Sequence, residues 1–258
     1  MTVPQITANG YLTGGAAVAV DNTVPAPSYV FSVSDTKTVR FSPGNLQYKE
    51  GEGWRFAPNQ WDFCQSTDVT WDTSDWVDLF GFGTWGEGKD PLYTSTNDED
   101  YTWSTDFQGT LNGHNDWYTP LATEWQYLFE TRSNAAQKVG YATVGGNNGI
   151  IILPDDFTDP MKNNGSGAFV PQATTGWTAN VYTAGDCWDA MEAAGAVFLP
   201  AAGNRIPIKV NGAGVTGFYW SSTPGHSGSA LYVYFNSRVV EPYRNFVRSR
   251  GQSVRLVR

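Results

Sequence analysis

Two histidines, two cysteines and a surplus of carboxylates are the groups in this chain that could do chemistry, and their spacing argues against most of it. His114 and His226 each lack a histidine at helical ligand spacing, and no His-Glu-x-x-His run occurs. Cys64 and Cys187 cannot build a four-ligand zinc site; they can make one bridge or stay free, and neither has the histidine signature of a nucleophile. Asp98-Glu99-Asp100 offers oxygens to calcium but lacks the loop spacing of an EF-hand, so it reads as solvated loop. The many Asp and Glu residues could contain a glycosidase pair, yet the sequence selects no two of them. A Gly-x-Ser-x-Gly elbow, a dinucleotide fingerprint and a P-loop are missing. The chain reads as a binding protein rather than an enzyme, with no cofactor and no metal site expected.

Recognition chemistry gathers at the other end of the chain. Residues 1–193 hold 24 acidic and 8 basic side chains; residues 194–258 hold one acid, Glu241, against 8 bases, and the net charge is −9. After Lys209 there is no lysine and no methionine, while six arginines appear. Arginine, tyrosine and phenylalanine are favoured at recognition surfaces, and lysine is depleted there. Such a split either marks a partner for the basic end or lets the two segments neutralise each other inside one fold. Nucleic acid is not the expected partner, because the arginines alternate with apolar residues and the acidic remainder repels phosphates.

A chain of 258 residues can form one large domain without a staple. At 16% charged and 15% aromatic residues, it is not coiled coil, collagen or mostly disordered. No apolar run is long enough for a membrane span. Residues 1–28 read as a leader or tether, with no basic region before an apolar core and so no visible signal peptide; residues 29–258 read as the binding domain.

The polar stretch 49–53 predicts a turn between strands at 44–48 and 54–56, and the apolar run 149–154 predicts a buried strand. Six of the 11 tryptophans fall in residues 60–120, which predicts long loops pinned by aromatic anchors. Thr123-Glu-Trp-Gln126 has the form of a capping box, predicting a helix to residues 137–139 that ends at Gly140. Thr183 with Asp186 predicts a second helix, with Trp188, Met191 and Ala194 on one face and Gly195 closing it. Strands are expected at 196–199, 218–222 and 231–235. In the last, alternation turns Leu231, Val233 and Phe235 one way and puts Tyr232 and Tyr234 on the polar face. The fold class is α+β.

Several segments together resemble a known family: Phe41-Ser-Pro-Gly-Asn-Leu-Gln-Tyr48, Trp54-Arg-Phe-Ala-Pro-Asn-Gln-Trp61, Leu121-Ala-Thr-Glu-Trp-Gln-Tyr-Leu-Phe129, the run 191–203, Tyr219-Trp-Ser-Ser-Thr-Pro224 and Gly251-Gln-Ser-Val-Arg-Leu-Val-Arg258. Over residues 29–258 the chain is similar to the variable proteins of diversity-generating retroelements from gut Bacteroidetes and their phages. The Thr-Glu-Trp segment and the closing Val-Arg-Leu-Val also look like the formylglycine-generating-enzyme branch of the C-type lectin fold. The resemblance implies a C-type lectin-like domain, with two helices flanking small antiparallel sheets and many loops.

In that family a reverse transcriptase rewrites adenines in a copy of the C-terminal gene segment. Asparagine codons then yield many residues, but not Lys, Met, Trp, Gln or Glu, which agrees with the missing Lys and Met. The resemblance implies a variable segment over about residues 217–258. It implies a fixed frame of 219–224, Ala230, 235–237, Pro242, Arg248 and 251–258. The varied, ligand-binding positions would be Phe218, His226, Ser227, Tyr232, Tyr234, Arg238 and Val239, then Tyr243, Arg244, Asn245, Phe246, Val247, Ser249 and Arg250. Glu241 does not fit an asparagine-codon origin and is left out. Such residues make a recognition surface of rigid aromatic anchors and charged forks.

The implied partner is a protein or glycan receptor on a bacterial surface, and the implied location is a phage tail or a bacterial cell surface. The missing signal peptide points toward the phage. Phage adhesins are often trimers, which leaves a homo-oligomer open, although no heptad argues for one. A formylglycine-type enzyme needs a reactive cysteine arrangement late in the chain, and nothing after Cys187 matches. Calcium-lectin motifs are broken as well, at Glu241-Pro-Tyr243 and Asn115-Asp-Trp117. The main rival reading is a fixed glycan-binding module that stacks sugars on Trp71, Trp76 or Trp85.

Overall fold

The computed structural model describes residues 29–70, 75–83, 107, 109–162 and 167–258, plus two short strands, β1 (Gln5–Ile6) and β2 (Leu12–Thr13), which pair antiparallel. The rest of the expected 1–28 leader lies outside the described residues, as do Asp98-Glu99-Asp100, Trp71, Trp85 and Trp103.

Two hairpins open the domain. β3 (Phe31–Ser32) pairs with β4 (Thr38–Val39), and β5 (Leu46–Lys49) pairs with β6 (Gly53–Phe56) across the predicted polar turn. The first helix departs from expectation. α1 (Ala122–Gln126) is capped from Leu121 rather than Thr123: Glu124 Oε2 accepts the Leu121 N–H at 2.9 Å, and Thr223 Oγ1 accepts the Ala122 N–H at 2.9 Å. One π-helical turn, Tyr127–Thr131, follows, and Arg132 then turns extended. Arg132 Nε donates to the Leu128 carbonyl at 2.8 Å, the acceptor that the Arg132 N–H would take in an α-helix. Asp155 holds the same guanidinium at 3.2 Å. The helix therefore stops, and Gly140 lies inside a strand, β7 (Val139–Val144), instead of ending a helix.

β8 (Asn147–Ile152) is the predicted apolar strand. β9 (Asn180–Tyr182), α2 (Asp186–Ala193) and β10 (Val197–Pro200) follow, and the sheet runs β10-β8-β7-β9 with only β7 and β9 parallel. Gly149 permits the approach of β10, because a β-carbon there would stand 2.3 Å from the Leu199 carbonyl oxygen. α2 starts from Gly185, two residues later than a Thr183 cap would set it. Its Trp188 and Met191 are fully buried, Ala194 only half so.

β11 (Asn204–Ile206) and β12 (Lys209–Asn211) form a small hairpin. β13 (Gly217–Pro224), β14 (Ser229–Phe235) and β15 (Val240–Val247) make an antiparallel sheet with β14 in the middle and β15 at an edge. Tyr219, Val233 and Phe235 join a core with Trp125, Ile150 and Leu199. Trp220, Ala230 and Tyr232 join a second core with Leu46, Phe80, Trp117 and Val254. Both faces are covered there, so the face expected to be polar is not: Tyr232 is 4% exposed. The described residues thus form an α+β fold of short helices, small sheets and much irregular backbone.

Residues 251–258 bind these parts together. Their backbone bonds reach Arg205 and Phe80, then Phe218 and Trp220, then Leu46, Ser42, Tyr118 and Arg40. Arg255 in this strap is wholly buried, and burial draws its pKa down to about 10. Its Nη2 donates to Gln60 Oε1 at 2.6 Å and its Nη1 to Asn45 Oδ1 at 3.5 Å. Asn45 Nδ2 in turn donates to Asp78 at 3.4 Å and to the Tyr219 hydroxyl at 3.2 Å.

Burial pushes the Asp78 carboxyl up to about 6 from 3.8, against the pull of the Cys64 N–H and Asn45. In that window the folded chain keeps a proton that the unfolded chain releases. The Asp78 contribution is therefore full below about pH 4 and lost as pH rises to about 6, by on the order of 3 kcal/mol. Denaturant melts of wild type and Asp78→Asn across this range should show their stability difference falling, then levelling. A flat difference would remove this account of Asp78.

Candidate functional site

The fourteen positions implied by the resemblance fall on β13, β14, β15 and the turns joined to them. Register sets Phe218 opposite Tyr234, Trp220 opposite Tyr232, Tyr232 opposite Arg244 and Ala230 opposite Phe246. Strand alternation then puts Phe218, Tyr232, Tyr234, Arg244 and Phe246 on one face. The rings form a connected chain. Phe218 stacks on Tyr232 with centroids 5.9 Å apart and meets Tyr234 edge-on at 5.3 Å; Tyr232 meets Phe246 at 6.4 Å. Arg250 lies 3.6 Å over Phe246, and Arg244 lies 5.2 Å from the Tyr234 centroid. These are cation–π geometries. Burial draws the Arg250 pKa down, and the nearby Tyr232 raises it only in part.

A tight turn carries His226 and Ser227, both exposed. Ser229 returns its N–H to the His226 carbonyl, and Ser227 sits in the left-handed region at φ +45. Asparagine is among the residues that adopt that region most readily. Arg248 N–H donates to the Gly228 carbonyl at 3.0 Å, which brings Ser249 and Arg250 to this end of the sheet. Asn245 packs against Gly225 here, and Val247 pairs with Ser229. Arg238 and Val239 do not join them, because they sit in the β14–β15 turn at the opposite end. That turn is shaped by Asn236, whose Oδ1 accepts the N–H groups of Arg238 and Val239 and whose Nδ2 donates to the Tyr234 hydroxyl at 2.9 Å.

Exposure divides these positions sharply. His226, Ser227, Arg238, Val239, Tyr243, Arg244, Asn245 and Val247 are exposed; Phe218, Tyr234, Phe246, Ser249 and Arg250 are half-buried; Tyr232 alone is buried. In the frame, Tyr219, Trp220, Ser221, Ser222, Ala230 and Phe235 are fully buried, and residues 251–257 are buried throughout. Sequence reasoning left out Glu241, yet it lies opposite Tyr234 and ion-pairs with Arg244, so it belongs to the surface. Strand alternation would set residues three apart on opposite faces, and a register shift between Tyr232 and Tyr234 brings the two together, so no local spacing signalled the pair.

The basic end divides in a way neither charge reading anticipated. Arg205 and Arg255 are core residues. Arg205 donates to the carbonyls of Leu79 and Pro207, and Arg255 to two amides. Lys209 pairs with Asp68 across the two segments. Cys64 and Cys187 are both free, and burial pushes the Cys64 thiol up to about 11, so it stays protonated at neutral pH. Among the described residues no cluster of His, Cys, Asp or Glu is arranged to hold a metal ion.

No protein-family model matches the chain, and neither the curated proteins nor the solved structures contain a match.

The exposure pattern separates two tyrosines of equal size. Tyr232→Ala removes a buried ring and should cost about 3 kcal/mol, whereas Tyr243→Ala, at 52% exposure, should stay within about 0.5 kcal/mol. Urea melts of both variants measure the difference, and equal costs would contradict the packing described.

Proposed function

We propose that this chain is a diversified ligand-binding protein with a C-type lectin-like domain, whose recognition surface is built on β15, its flanking turns and the exposed parts of Phe218, Tyr234 and Phe246, which otherwise pack against the second core. It is carried on a phage tail or a bacterial cell surface and binds a protein or glycan receptor on a bacterial surface. One observation carries the reading. Residues expected to be invariant are mostly the buried ones, and residues expected to vary are, except Tyr232, at least partly exposed. A protein that rewrites a surface must keep the rewritten side chains out of its cores, since core changes cost several kcal/mol and surface changes little.

The chemistry of the surface suits recognition. Tyr243, Val247 and Val239 are exposed apolar anchors, and Arg238, Arg244 and Arg250 stand against the single carboxylate of Glu241. Short helices, small sheets and long irregular backbone are compatible with the lectin-like architecture.

The test is sequencing the 3′ end of the gene and its flank from many isolates. The expected result is a nearby copy of the last segment with adenines at the named codons, and substitutions confined to those codons. Codon 232 should be narrower than the rest, keeping large apolar or aromatic residues. Absence of a template copy, with substitutions scattered over frame and surface alike, would refute the reading.

A further inference from the structure

An open cleft of about 490 Å³ lies where β6, residues 58–65, residues 75–76 and the start of β8 meet. Its walls include two half-buried indoles, Trp61 and Trp76, together with Arg55, Asp62, Asp75 and Asn147. None of these belongs to the surface on β15.

Arg55, Asp62, Asp75 and Asn147 are each held by contacts through one part of the side chain and keep another polar atom without a partner among the described residues. Arg55 Nε donates to Gln47 Oε1 at 3.0 Å, and Gln47 is itself only 3% exposed. The guanidinium lies 3.6 Å over the Trp76 ring. Its terminal nitrogens form no ion pair with any described carboxylate. Asp62 Oδ2 takes both N–H groups of Asn59 at 2.9 Å, which leaves Oδ1. Asp75 Oδ1 takes the Trp76 N–H at 2.8 Å, which leaves Oδ2. Asn147 Nδ2 donates to the Trp61 carbonyl at 3.1 Å, which leaves its own Oδ1. Burial draws the Arg55 pKa down while the fields of Glu52, Asp62 and Asp75 push it up, so the carboxylates are close enough to be felt.

We propose that this cleft is a second binding site and that its ligand is a neutral saccharide. The donors and acceptors decide the class. A sugar hydroxyl both donates and accepts, so neighbouring hydroxyls can give hydrogens to Asp62 and Asp75 while taking them from Arg55. An anionic ligand would face two carboxylates, and a cationic one would face the guanidinium. A wholly apolar ligand would strand all of these groups without partners. Trp76 has Arg55 over one face and Trp61 has Gly145 against its ring, so what the indoles offer to the C–H face of a sugar ring is their remaining half-buried apolar surface, beside a few fixed polar groups. This inference stands apart from the diversification reading, because it uses none of the same residues.

Affinity electrophoresis tests it, with the purified chain run through native gels containing dextran, mannan, laminarin or arabinoxylan, and dextran sulfate as the anionic control. At least one neutral polysaccharide should retard the wild type. Asp75→Asn and Arg55→Lys should weaken that retardation about tenfold, the loss expected when a charge-assisted hydrogen bond is degraded. Tyr243→Ala should migrate as wild type does. Asp75 is exposed, so Asp75→Asn reads the cleft even where another variant folds poorly; melts of each variant verify the fold. The proposal fails if no neutral polysaccharide retards the chain, if only dextran sulfate does, or if Asp75→Asn and Arg55→Lys bind as wild type does. Loss on Tyr243→Ala alone would move saccharide binding to β15, overturning this site while leaving the diversification reading intact.

Discussion

Arg255 is a fully buried cation held by two side-chain amides, with its Nε left without a partner among the described residues, and those two amides tie the C-terminal strap to the rest of the fold. Burying a guanidinium is costly unless its hydrogens are taken up, and removing a partner from such a group costs several kcal/mol. Gln60, one partner, also accepts the Phe198 N–H and donates to Glu192 and to the Ala196 carbonyl. It therefore couples the C-terminal strap to α2 and β10 at once. Asn45, the other partner, presents its oxygen to Arg255 and its nitrogen to Asp78, so one amide dipole lies between a buried cation and a buried anion. The strap's own backbone bonds then hold β13 and the two opening hairpins in register with the same residues.

That arrangement separates stability from display. The edge strand β15 hangs between two buried lengths of chain, β14 before it and the strap after it. Its register with β14 is set by backbone bonds and needs little from exposed side chains such as Tyr243, Asn245 and Val247. Tyr232 is different, because β14 is the central strand and its far face closes on Trp220, Phe246 and the second core. A position can be near the surface in sequence register and still be structural, when the sheet is covered on both sides.

Local signals were legible, and distant partners were not. The β5–β6 hairpin, the apolar β8 and the buried stripe of Trp188 and Met191 follow from spacing alone, because turn chemistry and periodicity are short-range. The length of the first helix was misread, since what stops it is Arg132 turning back to Leu128 under the hold of Asp155, far along the chain. Its cap was misread for a related reason. Part of it is Thr223, a hundred residues away, and the local half uses Glu124 on a leucine instead of a serine or threonine. Of the cleft at Arg55 and Trp76, the sequence offered only Trp76 as a sugar-stacking candidate; the grouping with Arg55, Asp62 and Asn147 was not legible, as its residues come from four separate segments.

The arginine bias itself has a physical cause that does not depend on genetics. Arg248 lies 5.5 Å from the Phe82 centroid, Arg258 lies 5.4 Å from that of Trp117, and Arg250 lies 3.6 Å from that of Phe246. A planar, weakly hydrated guanidinium stacks on rings and forks between acceptors, while an ammonium holds its water more tightly and does neither as well. Arg248, Arg255 and Arg258 lie at positions that the resemblance implies to be fixed, where codon rewriting would play no part, and they too are arginine. The missing lysine is thus accounted for by packing at the frame positions, and codon restriction is needed only at Arg238, Arg244 and Arg250. Of these, Arg250 is stacked closely enough for packing to select it as well. The weight of the diversification reading therefore rests on which positions are buried, more than on which residues are absent.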